Sequence, residues 1–277
     1  MNRALDEGQK KAGSLVQTRT AGSAYRRTTK RWLCADLALL GYEEARDLQL
    51  RLVAARECGT IASDILLLVE HEPVFTLGRR GGRENLMVSE LFLKVARIPI
   101  VHVERGGDIT FHGPGQLVGY PIMDLRAAKL TVIDYVERLE EIMIRTAAHW
   151  GVQATRNRLN HGIWVGGSKL GSLGIAIRRG ITYHGFALNV NVSLEPFGWI
   201  NPCGLHGVKM TSLEREIACK PSMKEVREQI KLNIKEVFNV DLNLEIPPSC
   251  GMPCIGLLDS SNGAADGFRL HFPPGES

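Results

Sequence analysis

The stretch from Arg105 to Pro121, reading Arg-Gly-Gly-Asp-Ile-Thr-Phe-His-Gly-Pro-Gly-Gln-Leu-Val-Gly-Tyr-Pro, constrains this chain more than any other. It holds five glycines (Gly106, Gly107, Gly113, Gly115 and Gly119) and two prolines in seventeen residues. Backbone shape therefore does work that side chains usually do, because glycine permits φ > 0 and lets a ligand approach the main chain. Between the glycines, apolar Ile109 and Phe111 alternate with polar Asp108, Thr110 and His112, the period of a half-buried strand. Two readings follow: a binding wall with one apolar face, or a tight β-meander that needs glycine only for its turns.

The flanking segments give the frame. From Tyr42 to Cys58 the apolar positions Ala45, Leu48, Leu52 and Ala55 recur at helical spacing, and Gly59 stands where a glycine stops a helix. Ile65 to Val69 reads as a buried strand, Pro73 ends one element, and Val74 to Leu77 begins another. Gly78 to Arg83, Gly-Arg-Arg-Gly-Gly-Arg, is either a solvated basic loop or an anion site built from backbone amides and guanidinium groups. Ile98 to Glu104 is a strand candidate. Thr131 with Asp134 caps a helix whose stripe is Val132, Val136, Leu139, Met143 and Ala147, ended by Gly151. Strand signals return at Ile163 to Val165, Leu173 to Ile177 and Ile181 to Val192, with Gly166-Gly167 and Arg179-Gly180 as turns. Ser222 and Glu225 then open a helix carrying Val226, Ile230, Ile234 and Val237.

Short turns between adjacent β segments predict an α/β (α+β) domain at about residues 32–245, with a mixed, largely antiparallel sheet and helices packed against one face. Residues 1–31 carry eight Lys or Arg and little apolar periodicity, and are expected to be a disordered basic arm. An organelle transit peptide is the alternative, but the acidic pair Asp6-Glu7 does not suit one. Residues 246–277 read as a Pro/Gly/Ser-rich tail. The apolar run Ile65–Val69 is far short of the ~20 residues that cross a bilayer. A net charge of +4 suits an acidic protein partner and falls short of a nucleic-acid binder. Six irregularly spaced cysteines argue against a disulfide framework and for a reducing, cytoplasmic setting; Cys250 and Cys254 lack zinc-ligand spacing.

Three clusters carry chemistry: Lys169 within the run Gly166–Gly174, the segment Thr182–Asn189, and Asn201-Pro202-Cys203-Gly204. A thiol attacks acyl groups as thiolate, and a nearby ammonium lowers its pKa, so Cys203 and Lys169 would form a nucleophile pair if the fold joined them. Packing as a small hydrophobe is the plainer role for a cysteine.

With these segments the sequence resembles the lipoyl(octanoyl) transferases, relatives of the biotin and lipoate protein ligases. The match is carried by Arg-Gly-Gly-x-x-Thr-aromatic-His-Gly-Pro-Gly-Gln, Lys169, Tyr-His-Gly-Phe-Ala-Leu-Asn, and Ile200-x-Pro-Cys-Gly followed by Thr211-Ser212-Leu213. Leu40 to Gln49 and His71 to Gly78 fit the same pattern, and the likeness spans roughly residues 35–240. The resemblance implies the ligase-like fold and transfer of an octanoyl or lipoyl group to a lysine. The donor would be octanoyl-acyl carrier protein; the acceptors would be lipoyl domains of 2-oxoacid dehydrogenases and glycine cleavage H protein. It implies Cys203 as the acyl-carrying nucleophile and Lys169 as the group that lowers its pKa and moves protons. Arg105, Gly106, Gly107, Asp108, Ile109, Thr110, Phe111 and His112 would line the acyl pocket with Ser172, Leu173, Gly174, Gly185, Phe186 and Ala187. His184 and Asn189 would support it.

Amide formation from a thioester is downhill, so neither ATP nor a metal is expected, and the chain has no G-x-x-x-x-G-K-[ST] phosphate loop. The amine must be deprotonated to attack, and a lysine in a partly desolvated pocket can titrate low enough to take the proton. The rivals are an ATP-dependent ligase, for which Cys203 has no task, and a carrier-docking module without catalysis, for which Lys169 has none.

Overall fold

A computed structural model describes residues 30–157, 160–201 and 208–243. The expected arm, apart from its last two residues, and the expected tail lie outside the described residues. Lys30 and Arg31 instead begin the first strand, β1 (Lys30–Leu40). Along the chain follow α1 (Tyr42–Glu57), β2 (Ile65–His71), β3 (Val74–Leu77), α2 (Glu90–Ala96), β4 (Ile100–His102), β5 (Ile109–His112) and β6 (Gln116–Ile122). Then come α3 (Leu125–Ala128), α4 (Val132–His149), β7 (Thr155–Arg156), β8 (Gly162–Val165), β9 (Ser168–Arg178) and β10 (Ile181–Asn189). The last are β11 (Lys209–Met210), α5 (Leu213–Ile217), α6 (Met223–Phe238) and β12 (Val240–Asn243).

The large sheet runs β12-β1-β2-β6-β10-β9-β8-β7, with β11 beside β9. Pairs β12/β1, β1/β2 and β11/β9 are parallel and the others antiparallel, so the sheet is mixed as the turns predict. The helices, however, cover both faces. Leu66 and Leu68 of β2 pack with Leu139, Ile142 and Met143 of α4 and Val226, Ile230 and Ile234 of α6. Ile65, Leu67 and Val69 pack with Ala45, Leu48, Leu52 and Val53 of α1 on the other face. The unbroken run Ile65–Val69 is the physical reason, since a strand with no polar alternation must be buried on both sides.

A small sheet, β4-β3-β5, stands apart. The glycine-rich stretch is therefore no meander. β5 belongs to the small sheet, and after the turn Gly113–Gly115 the chain enters β6, at the centre of the large one. That turn is held by Glu70, whose Oε2 accepts from the Gly115 amide at 2.8 Å, and by the Gly115 carbonyl, which accepts from Val190 and Asn191. One continuous segment thus joins the two sheets.

Candidate active site

A cleft of about 630 Å³, open mouth included, lies where β5, β6, β9 and β10 meet. Of the residues expected to line it, Arg105, Gly107, Asp108, Ile109, Thr110 and His112 do so on the small-sheet side. Lys169, Ser172, Leu173 and Gly174 do so from β9, and His184, Gly185, Phe186 and Ala187 from β10. Register explains the convergence: β9 and β10 pair antiparallel with Gly174 opposite Gly185 and Ser172 opposite Ala187.

Three expected residues stand elsewhere. Phe111 points across β5 into the small sheet's core, its ring 5.3 Å from that of Phe75 and 5.5 Å from that of Phe197. Strand alternation requires this once Thr110 and His112 face the cleft. Gly106 donates its amide to the Ile175 carbonyl at 2.9 Å and lines a neighbouring groove with Arg80, Val136 and His161. Asn189 lies behind the wall and braces it. His112 Nδ1 donates to Gln116 Oε1 (2.6 Å), Gln116 Nε2 to Asn189 Oδ1 (2.9 Å), and Asn189 Nδ2 to the Thr211 carbonyl (2.9 Å). The Thr211 amide in turn donates to the Lys169 carbonyl at 3.0 Å.

Arg105 is 7% exposed. Its Nη2 donates to the Thr76 carbonyl and hydroxyl at 2.7 and 2.8 Å, and its Nη1 to the Gly106 carbonyl at 3.1 Å. A Cβ on Gly174 would meet the arginine's Cδ at 2.8 Å, so this wall needs a glycine. Asp108 caps its own strand, accepting from the Ile109 amide and from Asn85.

Lys169 is 4% exposed, with its Nζ donating to Asn160 Oδ1 and lying 5.5 Å from the centre of the Trp164 ring. The pairing of β8 with β9 slips at this point, from Ile163 opposite Gly171 to Trp164 opposite Lys169. A bulge of this kind re-aims a side chain. Gly162 has φ +127°, and a Cβ there would sit 2.9 Å from Lys169 Cε and 2.2 Å from the Gly171 carbonyl oxygen.

Cys203 lies outside the described residues. On one flank, Ile200 bridges to Leu86 and the Asn201 amide donates to the Asn85 carbonyl (2.8 Å). On the other, Lys209 and Met210 pair with Ser168 and Lys169.

Four contributors had no role in the sequence reading: Val118, Tyr120, Asn160 and Met210. Tyr42 and His71 stood only within family patterns. His71 closes the strand that carries the apolar run, and a histidine in such a place asks for a partner; that is the one signal available. His71 Nδ1 donates to the Leu40 carbonyl (2.9 Å), which leaves Nε2 to accept from Tyr120 Oη (2.7 Å). Tyr42 stacks on His112 with centroids 5.7 Å apart, and its Oη lies 3.5 Å from His184 Nδ1. Burial pushes His71 and His184 down to about 4 and His112 to about 3, and lifts Tyr42 to about 12. At neutral pH these rings are uncharged, and the cationic groups on the cleft wall are Arg105 and Lys169. His184 holds φ +54°, its amide donates to Gln49 Oε1 (2.8 Å), and its Nε2 has no hydrogen-bond partner among the described residues, Glu104 Oε2 being 3.6 Å away.

The basic loop Gly78–Arg83 does not present a free amide nest. The amides of Gly78, Arg79 and Arg80 donate to the carbonyls of Asp108, Arg105 and Gly107. It fastens the pocket wall from outside. Among the described residues no cluster of His, Cys, Asp and Glu could hold a metal, and no helix is long and apolar enough to cross a membrane.

Residues 41–235 match the lipoyl protein ligase A/B catalytic domain family. An octanoyltransferase of Desulfotalea psychrophila is 49% identical over 205 residues, 73% of this chain and 92% of that protein. Lipoate-protein ligase A bound with ATP has the same fold at TM-score 0.64 and 16% identity, covering 80% of this chain and 91% of that one. A two-part lipoate protein ligase of Thermoplasma acidophilum, studied with its E2 lipoyl domain, superposes at TM-score 0.61 and 17% identity, covering 80% and 89%.

Proposed function

This chain belongs to the lipoyl protein ligase A/B catalytic domain family and is an octanoyltransferase serving lipoate biosynthesis, and on that premise we propose how it works. Cys203 takes the octanoyl group from acyl carrier protein as a thioester and passes it to a lysine of a lipoyl domain. The acceptors are the lipoyl domains of 2-oxoacid dehydrogenases and the glycine cleavage H protein. The observation that carries this reading is the buried Lys169 ammonium at the cleft wall, held by Asn160 and joined by backbone pairing to β11, which leaves the Cys203 segment.

An ammonium there stabilises the Cys203 thiolate. The thiolate attacks the carrier's thioester carbonyl, the new S–C bond forms, and the departing pantetheine thiolate takes a proton from Lys169. The acceptor's neutral amine then attacks the acyl-enzyme, and Lys169, now an amine, takes its proton as the amide forms. Cys203 leaves as thiolate and the ion pair is restored. A thioester is exchanged and then spent on an amide, so the cycle uses neither ATP nor a metal. The apolar side chains of Ile109, Leu173 and Phe186 and the uncharged rings of His112 and His184 receive the acyl chain. The cytoplasm is the compartment we propose, in keeping with the unpaired thiols of Cys34, Cys58 and Cys219.

Intact-protein mass spectrometry after mixing with octanoyl carrier protein and no ATP tests this. The wild type is expected to gain a hydroxylamine-sensitive octanoyl adduct that Cys203→Ala lacks. Transfer seen only with free octanoate and ATP would establish the ligase chemistry instead.

A further inference from the structure

Helix α2 is out of keeping with the rest of the molecule. Only Leu93 of its seven residues is buried. Leu91 is 71% exposed, Val95 78% and Phe92 42%, and Met87 just before the helix is 60% exposed. Phe92 packs edge-on against Trp199 at 4.9 Å, which extends the apolar surface towards the Cys203 segment. Monomeric proteins seldom leave such a contiguous patch without a partner.

Its surroundings are basic. Between residues 79 and 97 stand Arg79, Arg80, Arg83, Lys94 and Arg97 against Glu84 and Glu90, and all are exposed. Arg83 pairs with Glu90. Arg79, Arg80, Lys94 and Arg97 form no ion pair among the described residues.

The patch is also wired to the site. Asn85 Nδ2 donates to Asp108 of the pocket wall (2.7 Å), and the Asn85 carbonyl accepts from Asn201 (2.8 Å). The Met87 amide donates to the Trp199 carbonyl (2.8 Å). One short segment therefore links the pocket wall, the residues that lead into Cys203 and the exposed helix.

Resting on the transferase reading above, we propose that the apolar face of α2 with its basic border is the docking surface for the donor, an acidic carrier protein bearing the thioester on a pantetheine arm. Reach favours the donor over the acceptor. A lysine side chain is short, so the acceptor domain must sit over the cleft mouth itself. A pantetheine arm is long, and its carrier can rest to one side, on the helix that Asn85 ties to the cleft wall. Acidic side chains meet Lys94, Arg97 and Arg79 while apolar ones cover Leu91 and Val95.

The test is steady-state kinetics on the full chain with octanoyl carrier protein or octanoyl-coenzyme A as donor and a lipoyl domain as acceptor. Leu91→Asp/Val95→Asp, and separately Lys94→Glu, are expected to raise the KM for the carrier about tenfold, with kcat and the coenzyme A reaction within about twofold of wild type. The wild-type KM for the carrier should rise with salt and that for coenzyme A less so, because the carrier contact spans several charges. A carrier KM unchanged in both variants overturns the dock, whether the patch is covered by a second copy or by the chain's own terminal segments. So does an effect confined to the acceptor's KM. A wild type that transfers octanoyl from neither donor brings down the transferase reading and the dock with it, whereas normal coenzyme A turnover with an unmoved carrier KM removes the dock alone.

Discussion

Lys169 is placed by what surrounds it rather than by its own sequence neighbours. A strand bulge turns it, Asn160 and Trp164 hold its ammonium, and Gly162 vacates the space its stem crosses. Gly162→Ala would bring a Cβ to 2.2 Å from the Gly171 carbonyl oxygen at φ +127°. The expected loss is about 3 kcal/mol, read as a fall in the urea midpoint, together with a fall in octanoyl transfer as Lys169 shifts. Gly167→Ala, with nothing within 4 Å of its Cβ, should leave transfer unchanged. Lys169 itself was legible because it sits in a glycine-rich run. Asn160 was not, because no local pattern marks a side chain whose only task is to meet another across a bulge. Tyr42 and Tyr120 escaped for a related reason: one opens a helix, the other sits mid-strand, and only the pairing of β2 with β6 and the docking of α1 bring them to His71 and His184.

Helix α4 shows what periodicity settles and what it leaves open. Its start was legible to the residue: Thr131 Oγ1 accepts from the Asp134 amide, and Asp134 accepts from the Thr131 amide. Its buried face is rotated from the expected stripe. Val132 is 46% exposed, while Tyr135, Ile142 and Thr146 are buried. The polar members of that face have partners that hydropathy cannot register. Tyr135 donates to the Pro121 carbonyl, Thr146 to the Ile142 carbonyl, and Glu140 accepts from the Gly162 amide. Accordingly Val132→Ala should change stability by no more than about 0.5 kcal/mol, Thr131→Ala should cost about 1 kcal/mol, and Leu139→Ala about 3 kcal/mol. Urea unfolding of the three variants checks the order; a Val132→Ala loss equal to that of Leu139→Ala would contradict the observed face. β1 and β12 went unread because they pair in parallel across nearly the whole domain, and such a partner leaves no turn in the sequence.

At the scale of the whole molecule, the cleft lies between two sheets with uncharged histidines buried in and behind its wall, which ties stability to pH. His71, His112 and His184 titrate near 6.5 in the unfolded chain and at about 4, 3 and 4 in the folded one. Between those values the unfolded chain holds more protons, so stability rises with pH from about 4 to about 6.5 and gains nothing further from these groups above that. Each histidine steepens the rise by up to about 1.4 kcal/mol per pH unit. Tyr42, lifted to about 12, acts at the other end: its contribution is full below pH ~10 and is lost as pH climbs from there. Urea unfolding at pH 4.5 to 11 should therefore give a plateau at roughly pH 7 to 9 with a fall on either side. His71→Gln should flatten the acid limb, because glutamine takes no proton in the unfolded chain; an acid limb as steep as the wild type's would mean that His71 binds its proton as readily in the folded protein as in the unfolded chain, and that burial does not hold it neutral.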